Sequence, residues 1–142
     1  MTQPIRKLSF DKISAGDEAP VVSHKLTRGD LVKYAGASGD FNPMHSDEVA
    51  AKAAGLPSVF GHGMFSMGFL GRAITDWAGA GNLLNYRVRF TKQTWPDEVL
   101  SSKIVVTGKE TTKDGKVITA DITLVNQNGE VKLSGSTKVL AL

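Results

Sequence analysis

The sequence predicts an α+β domain in which helices cover one face of an antiparallel sheet. Two textures carry this reading. Residues 27–82 are rich in Ala, Gly and Met and read as helices and loops, whereas residues 83–141 are rich in Val, Thr, Ile and Lys and read as strands. No low-complexity linker or internal repeat separates the two halves, so they are expected to share one core. The length agrees: 142 residues is close to the roughly 150 of an average domain, and residues 1–142 are expected to form a single unit.

The elements follow in order. Pro20 to Leu26 reads as a strand. Thr27 then caps a helix, with Asp30 three residues on to complement its first turn. Leu31, Val32, Tyr34 and Ala35 supply the apolar face, and Gly36 and Gly39 end it. Pro43 has no amide hydrogen, so residues 39–43 are expected to turn. A short helix is predicted from Ser46 to Ala54. The next helix is predicted from Gly63 to Ala78, with Met64, Met67, Leu70, Ile74 and Trp77 spaced as one buried stripe and Phe65 and Phe69 widening it. Apolar over most of its circumference, it should lie at the centre of the molecule. Gly68 and Gly71, poor helix formers, imply close approach by another backbone. Four strands are expected at Asn85–Thr91, Val99–Glu110, Lys116–Asn126 and Glu130–Leu140. Asp114-Gly115 and Asn128-Gly129 are hairpin signals.

Composition excludes several kinds of function. There is no cysteine, hence no disulfide framework, thiolate metal site or thiol nucleophile. No apolar run approaches the roughly 18 residues of a membrane span. The stretch MTQPIRKLSFDK lacks the apolar centre of a leader, and a cytoplasmic protein is expected. The net charge of +3 is too small and too scattered for a nucleic-acid interface. Arg87, Arg89 and Lys92 form the densest basic group, which is either a solvated strand face or a landing site for a phosphate-bearing ligand.

Chemistry concentrates between Gly39 and Gly63. Asp40 and His45 flank a proline turn that can aim both at one point, where a carboxylate and an imidazole would share a proton with water. The plain alternative is a turn-forming Asp beside a surface His. Asn42 can cap the turn or hold a ligand carbonyl. Phe60-Gly61-His62-Gly63-Met64 is a glycine-rich turn before a helix, whose free amides can stabilise a developing oxyanion. The alternative is a tight turn needing positive φ. Ser66 stands where a dinucleotide fingerprint requires glycine, and Met64 where a hydrolase nucleophile elbow does, so neither motif is present. His24 has no evident acidic partner and reads as a surface residue. The three histidines are too scattered to propose a zinc site.

The segment Tyr34-Ala35-Gly36-Ala37-Ser38-Gly39-Asp40-Phe41-Asn42-Pro43-Met44-His45, followed by Val59-Phe60-Gly61-His62-Gly63-Met64, resembles the MaoC-like or R-specific enoyl hydratases. It looks most similar to the (3R)-hydroxyacyl-thioester dehydratase subunits of actinobacterial long-chain fatty-acid elongation. The resemblance implies a hot-dog fold, an antiparallel sheet wrapped around a long helix. It implies that Asp40 and His45 activate a water that adds to Cβ of a trans-2-enoyl thioester, and that the Gly63 amide holds the thioester oxygen. Asn42, His62, Met64 and Met67 would contact the substrate, an acyl-CoA or acyl-carrier-protein thioester. No cofactor or metal is implied. The partner would be a second hot-dog subunit, identical or different, and the +3 charge would draw in phosphates or an acidic carrier.

Some bacterial R-hydratases carry serine where this chain has Gly71, so any help in orienting Asp40 must come from elsewhere. Met64, Phe65, Met67 and Phe69 can equally be acyl-tunnel lining or plain core. Two other functions compete on the same fold. A non-catalytic acyl-binding or stabilising subunit would be expected to lose the Asp/His pair. A thioesterase would put a carboxylate on or near the central helix, and the only acid there, Asp76, lies at the far end from Gly63.

Overall fold

The computed structural model describes residues 5–142; the first four residues of the MTQPIRKLSFDK stretch read above lie outside the described residues. The order is β1 (Ser23–Lys25), α1 (Arg28–Ser38), a single 3-10 turn (Pro43–His45), α2 (Glu48–Ala53), α3 (Gly63–Ala78), β2 (Leu83–Phe90), β3 (Val99–Thr112), β4 (Gly115–Val125) and β5 (Val131–Leu140). The strands form one antiparallel sheet in the order β1-β3-β4-β5-β2. Both expected hairpins form. Thr112 pairs with Gly115 across Lys113-Asp114, and Val125 pairs with Val131 across a loop closed by Asn126 and Gly129.

Alternation along β3 buries Leu100, Ser102, Ile104 and Val106 and leaves Lys103 and Thr107 exposed, as a half-buried strand requires. The buried side joins Ile118, Ile122, Leu124, Leu133 and Val139 against Leu70, Ala73, Ile74 and Ala78 of α3 in one core. A second, small cluster of Leu31, Ala51 and Val59 ties α1 and α2 to the segment leading into α3.

Several expectations need correction. The first strand is only three residues long. Gly36 lies inside α1, and the helix ends at Gly39 alone, whose φ of 75° makes it a left-handed cap. Val32 faces solvent, leaving Leu31 and Ala35 as the buried residues of α1. α2 starts at Glu48 because the Asp47 carboxylate takes the Val49 and Ala50 amides. On α3 the buried face is Ser66, Leu70, Ala73, Ile74 and Ala78; Met64 is exposed, and Met67 and Trp77 are only half-buried. The helix therefore packs one face on the sheet and leaves an apolar flank open within one chain. No backbone crowds its glycines: the Tyr86 ring approaches Gly71, and nothing lies near Gly68.

The close backbone approach is instead at Gly135, where β5 meets β2. A Cβ there would lie 1.8 Å from the Arg87 carbonyl oxygen. Neither strand can yield without breaking the ladder, so Gly135→Ala is expected to cost about 1–3 kcal/mol or more. Thermal unfolding would register this as a lower Tm, and an unchanged Tm would contradict it.

Candidate active site

The site is assembled by the two loops that flank the small cluster. At the end of α1, the Ser38 hydroxyl accepts from the Asp40 amide at 3.1 Å. Asp40 Oδ1 in turn accepts from the Asn42 amide at 3.2 Å, and Asn42 Oδ1 from the Met44 amide at 3.1 Å. Pro43 therefore begins a helical turn rather than only interrupting one, and Asn42 caps it. This relay of short side chains fixes the Asp40–His45 spacing that the sequence left to the proline.

The second loop is pinned from both sides. The Phe60 amide donates to the Met44 carbonyl at 3.1 Å, and the Gly61 amide to the Thr94 carbonyl at 2.7 Å. Gly61 and Gly63 do not have positive φ, so the alternative of a tight turn needing positive φ does not hold. Glycine is needed at position 61 for room, since a Cβ there would meet Thr94 Oγ1 at 2.2 Å. At the start of α3, the Phe65 and Ser66 amides turn back to the His62 carbonyl. The Gly63 and Met64 amides are left without a protein acceptor among the described residues, at the positive end of the helix dipole.

Together the loops bring Asp40, His45 and His62 to one point, with ligating atoms within 4.8 Å of one another. His45 Nδ1 lies 2.6 Å from the Phe60 carbonyl oxygen. A carbonyl can only accept, so Nδ1 carries a proton, and the neutral ring presents a bare Nε2. That nitrogen stands 3.8 Å from Asp40 Oδ2, too far for a direct hydrogen bond. The His45 side chain is 9% exposed and that of Asp40 51%, so the gap between them opens to solvent on the Asp40 side. The His62 ring stacks on His45 with centroids 3.9 Å apart, and its Nε2 donates to the Asp40 carbonyl at 3.1 Å. His62 thus clamps both partners from a buried position. The stack, with one nitrogen of each ring committed to a carbonyl, is a hydrogen-bonded arrangement rather than ligands diverging around an ion.

Of the expected substrate contacts, Met64 is exposed beside Gly63, Met67 is half-buried against the core, Asn42 is occupied as a cap, and His62 touches the site through the other two residues. The basic group does not gather. Arg87 and Arg89 share the exposed face of β2, while Lys92 pairs with Glu130 at 3.0 Å. His24 is not a lone surface residue: its Nε2 donates to Asp30 Oδ2 at 2.7 Å. Burial works against the Asp30 charge, but bonds from Thr27 and His24 outweigh it and hold the carboxyl below its usual range.

The loop before Phe60 has its own electrostatic anchor. The Arg28 guanidinium, helped by the Val59 amide and the Ser58 hydroxyl, holds the Glu48 carboxyl at about 2 against an ordinary 4.5. The folded chain therefore takes up this proton less readily than the unfolded one. The stabilisation is complete above about pH 4.5 and is lost as the pH falls through about 2. Glu48→Gln should be less stable than the parent in urea at pH 7 and should converge with it near pH 2; a gap of the same size at both would contradict this.

A long helix packed against one face of a five-stranded antiparallel sheet defines the hot-dog fold. Residues 14–128 match the family described as "MaoC like domain", and the chain belongs to that family. It is 40% identical over 82 residues to 3-hydroxyacyl-thioester dehydratase Y of Mycobacterium tuberculosis, a match covering 55% of this chain and 28% of that protein. A solved MaoC-like dehydratase superposes with a TM-score of 0.87 at 31% identity, covering 99% of this chain and 44% of that one. R-hydratase PhaJ1 from Pseudomonas aeruginosa superposes with a TM-score of 0.85 at 23% identity, covering 98% of this chain and 88% of that one, and shares the fold. The chain spans less than a third of the length of the first curated relatives it matches. Among the described residues no helix is long and apolar enough to cross a membrane.

Proposed function

We propose that this chain reversibly hydrates trans-2-enoyl thioesters to (R)-3-hydroxyacyl thioesters in fatty-acid metabolism. The observation that carries the reading is the 3.8 Å gap between two acceptors, Asp40 Oδ2 and His45 Nε2. A water donating one O–H to each, at about 2.8 Å, subtends an angle of about 85°, near enough to its own bond angle to be held. As its oxygen bonds to Cβ, one of its protons passes to the Asp40/His45 pair. The Cα=Cβ electron pair moves to Cα, and charge spreads onto the thioester oxygen. The Gly63 amide, at a helix N-terminus with no competing acceptor, is placed to hold that oxygen. A proton from the pair then completes Cα. In the reverse direction the same groups remove the 3-hydroxyl as water. The added water supplies the proton and the chain's own residues relay it and supply the dipole, so the scheme calls for no cofactor.

Gly71 carries no hydroxyl, and the Asn42 amide and the His62 bond to the backbone take over the holding of Asp40. We read the functional unit as a dimer of hot-dog subunits, identical or different, because β2 is an edge strand whose Phe90 is exposed, as is Met64 at the start of α3. A chain without cysteine suits a reducing compartment such as the cytoplasm. The test is crotonyl-CoA hydration with chiral analysis of the product. Loss of the enoyl absorbance with formation of the (R)-alcohol is expected. Release of free thiol would indicate a thioesterase, and an untouched substrate a binding subunit.

A further inference from the structure

His62 is the buried group of the site that the hydration scheme leaves without a role. It is 1% exposed, closed to solvent and to substrate alike. Its ring stacks on His45 with centroids 3.9 Å apart and planes 26° from parallel, and its Nε2 donates to the Asp40 carbonyl at 3.1 Å. The Tyr34 ring meets it edge-on at 4.9 Å. Its Nδ1 is enclosed and has no hydrogen-bond partner among the described residues. A carbonyl only accepts, so Nε2 carries the proton. A second proton on Nδ1 would be an enclosed donor without an acceptor, so the ring that fits is the neutral one. Enclosed nitrogens are normally paired, and other side chains would avoid this orphan. A phenyl ring would make the stack without it, and a glutamine would make the bond without the ring. Histidine combines the two contacts, and the orphan nitrogen marks a position where both are used.

The two residues that His62 joins have a reason to be held apart. At rest, Asp40 Oδ2 and His45 Nε2 are two acceptors 3.8 Å apart. Once the water's O–H bond breaks and its proton reaches Nε2, His45 is a cation with a donor beside a carboxylate. Charge-assisted N–H···O bonds close to about 2.7–2.9 Å. Closure would leave no room for the water and would commit to a direct ion pair the proton that must next bond to Cα. The other anchors do not oppose this. Asn42 holds Asp40 at Oδ1 and Phe60 holds His45 at Nδ1, and each leaves the far atom, Oδ2 or Nε2, free to swing. His62 ties the ring plane of one partner to the main chain of the other.

Resting on the hydratase reading, we infer that His62 is a positioning residue, the spacer that keeps Asp40 and His45 at water-bridging distance while His45 is charged. Enclosed as it is, it acts through the pair and not on the thioester. A neutral aromatic face beside a cation also attracts it without having to move.

The test uses His62→Phe, which keeps a ring to stack, and His62→Gln, which keeps a donor for the Asp40 carbonyl. On crotonyl-CoA each should lower kcat by about tenfold or more, with KM within about twofold of the parent. Both are then placed in an Asp40→Asn background and read by product formation with enzyme in excess over substrate. Without the carboxylate a charged His45 has nothing to close onto, so the further loss should shrink to less than about twofold. Circular dichroism checks the fold of every variant, and where one of the two does not fold the other decides. A full further loss in the Asp40→Asn background would make His62 a packing residue, and a raised KM at unchanged kcat would make it a substrate contact. A loss in only one of two folded variants would reduce it to a single contact. Any of these, no loss in either variant, or failure of both to fold would overturn the inference and leave the hydratase reading intact. A folded parent inactive on crotonyl-CoA and on longer enoyl thioesters would overturn both.

Discussion

Asp40→Asn is expected to lower kcat for enoyl-thioester hydration by about 10²–10⁴-fold, the usual worth of a positioned acid–base group. The fold should survive it. Asparagine keeps the oxygen that accepts the Asn42 amide, and the bond from His62 goes to the Asp40 backbone rather than to its side chain. What is lost is one of the two acceptors that hold the water. Replacing Oδ2 by an amide nitrogen turns that acceptor into a donor, so the water is bonded by His45 alone. KM should change little, because the carboxylate does not hold the ground-state thioester. His45→Ala should be equally damaging to kcat, but it also frees the Phe60 carbonyl and removes the surface on which His62 stacks. Asp40→Asn is therefore the cleaner variant. Steady-state kinetics on crotonyl-CoA, with circular dichroism to check folding, measures it. A folded Asp40→Asn enzyme with full activity would remove the pair from the mechanism.

The largest expected effect on stability lies at Lys132. This lysine is 1% exposed, and its Nζ contacts Glu130 Oε1 at 2.6 Å, the Gln93 carbonyl at 2.8 Å and Glu98 Oε2 at 3.0 Å. Glu98 is itself buried and accepts from the Trp95 amide and from Asn126 Nδ2, both at 2.6 Å. Lys132→Met would leave that carboxylate enclosed without a cation, at a cost of about 3–5 kcal/mol. Replacing both charges should be far milder, so Lys132→Met with Glu98→Gln is expected to recover most of the loss. Urea unfolding of the two single variants and the double variant closes the cycle. A single-variant cost below about 1 kcal/mol, the range of exposed pairs, would mean that water reaches the network. The network matters to the site as well as to the fold. It anchors Gln93, and the next residue, Thr94, holds the Gly61 amide in the turn that leads into α3.

Much of this architecture was legible before any coordinates. The glycine, proline and Asx punctuation placed α3 and both hairpins, and Asp40, His45 and Gly63 stood out as a polar group around two turns. What pattern could not supply was contact between distant residues. His62 was expected at the substrate only through the family resemblance, and only the folded loops put its ring on His45, seventeen residues earlier in the chain. His24 found its acid six residues away because a strand hands over to a helix between them, a geometry that charge spacing along one element does not reveal. Lys132 sat in a strand with the alternation of a surface lysine, and its burial depends on Glu98 and Gln93 arriving from another loop. The stripe on α3 was misplaced for a related reason. Periodicity alone ranks large apolar residues first, whereas the face that packs on the sheet uses Ser66, Ala73 and Ala78 because the helix lies close to the strands.

The proposed placement of a reacting water between Asp40 and His45 is tested most directly by following its oxygen. Crotonyl-CoA incubated with the enzyme in ¹⁸O-labelled water should yield 3-hydroxybutyryl-CoA with the label at the 3-hydroxyl and none in the thioester carbonyl, as read by mass spectrometry of the intact product. Label in a free carboxylate, or no incorporation by the folded protein, would contradict it.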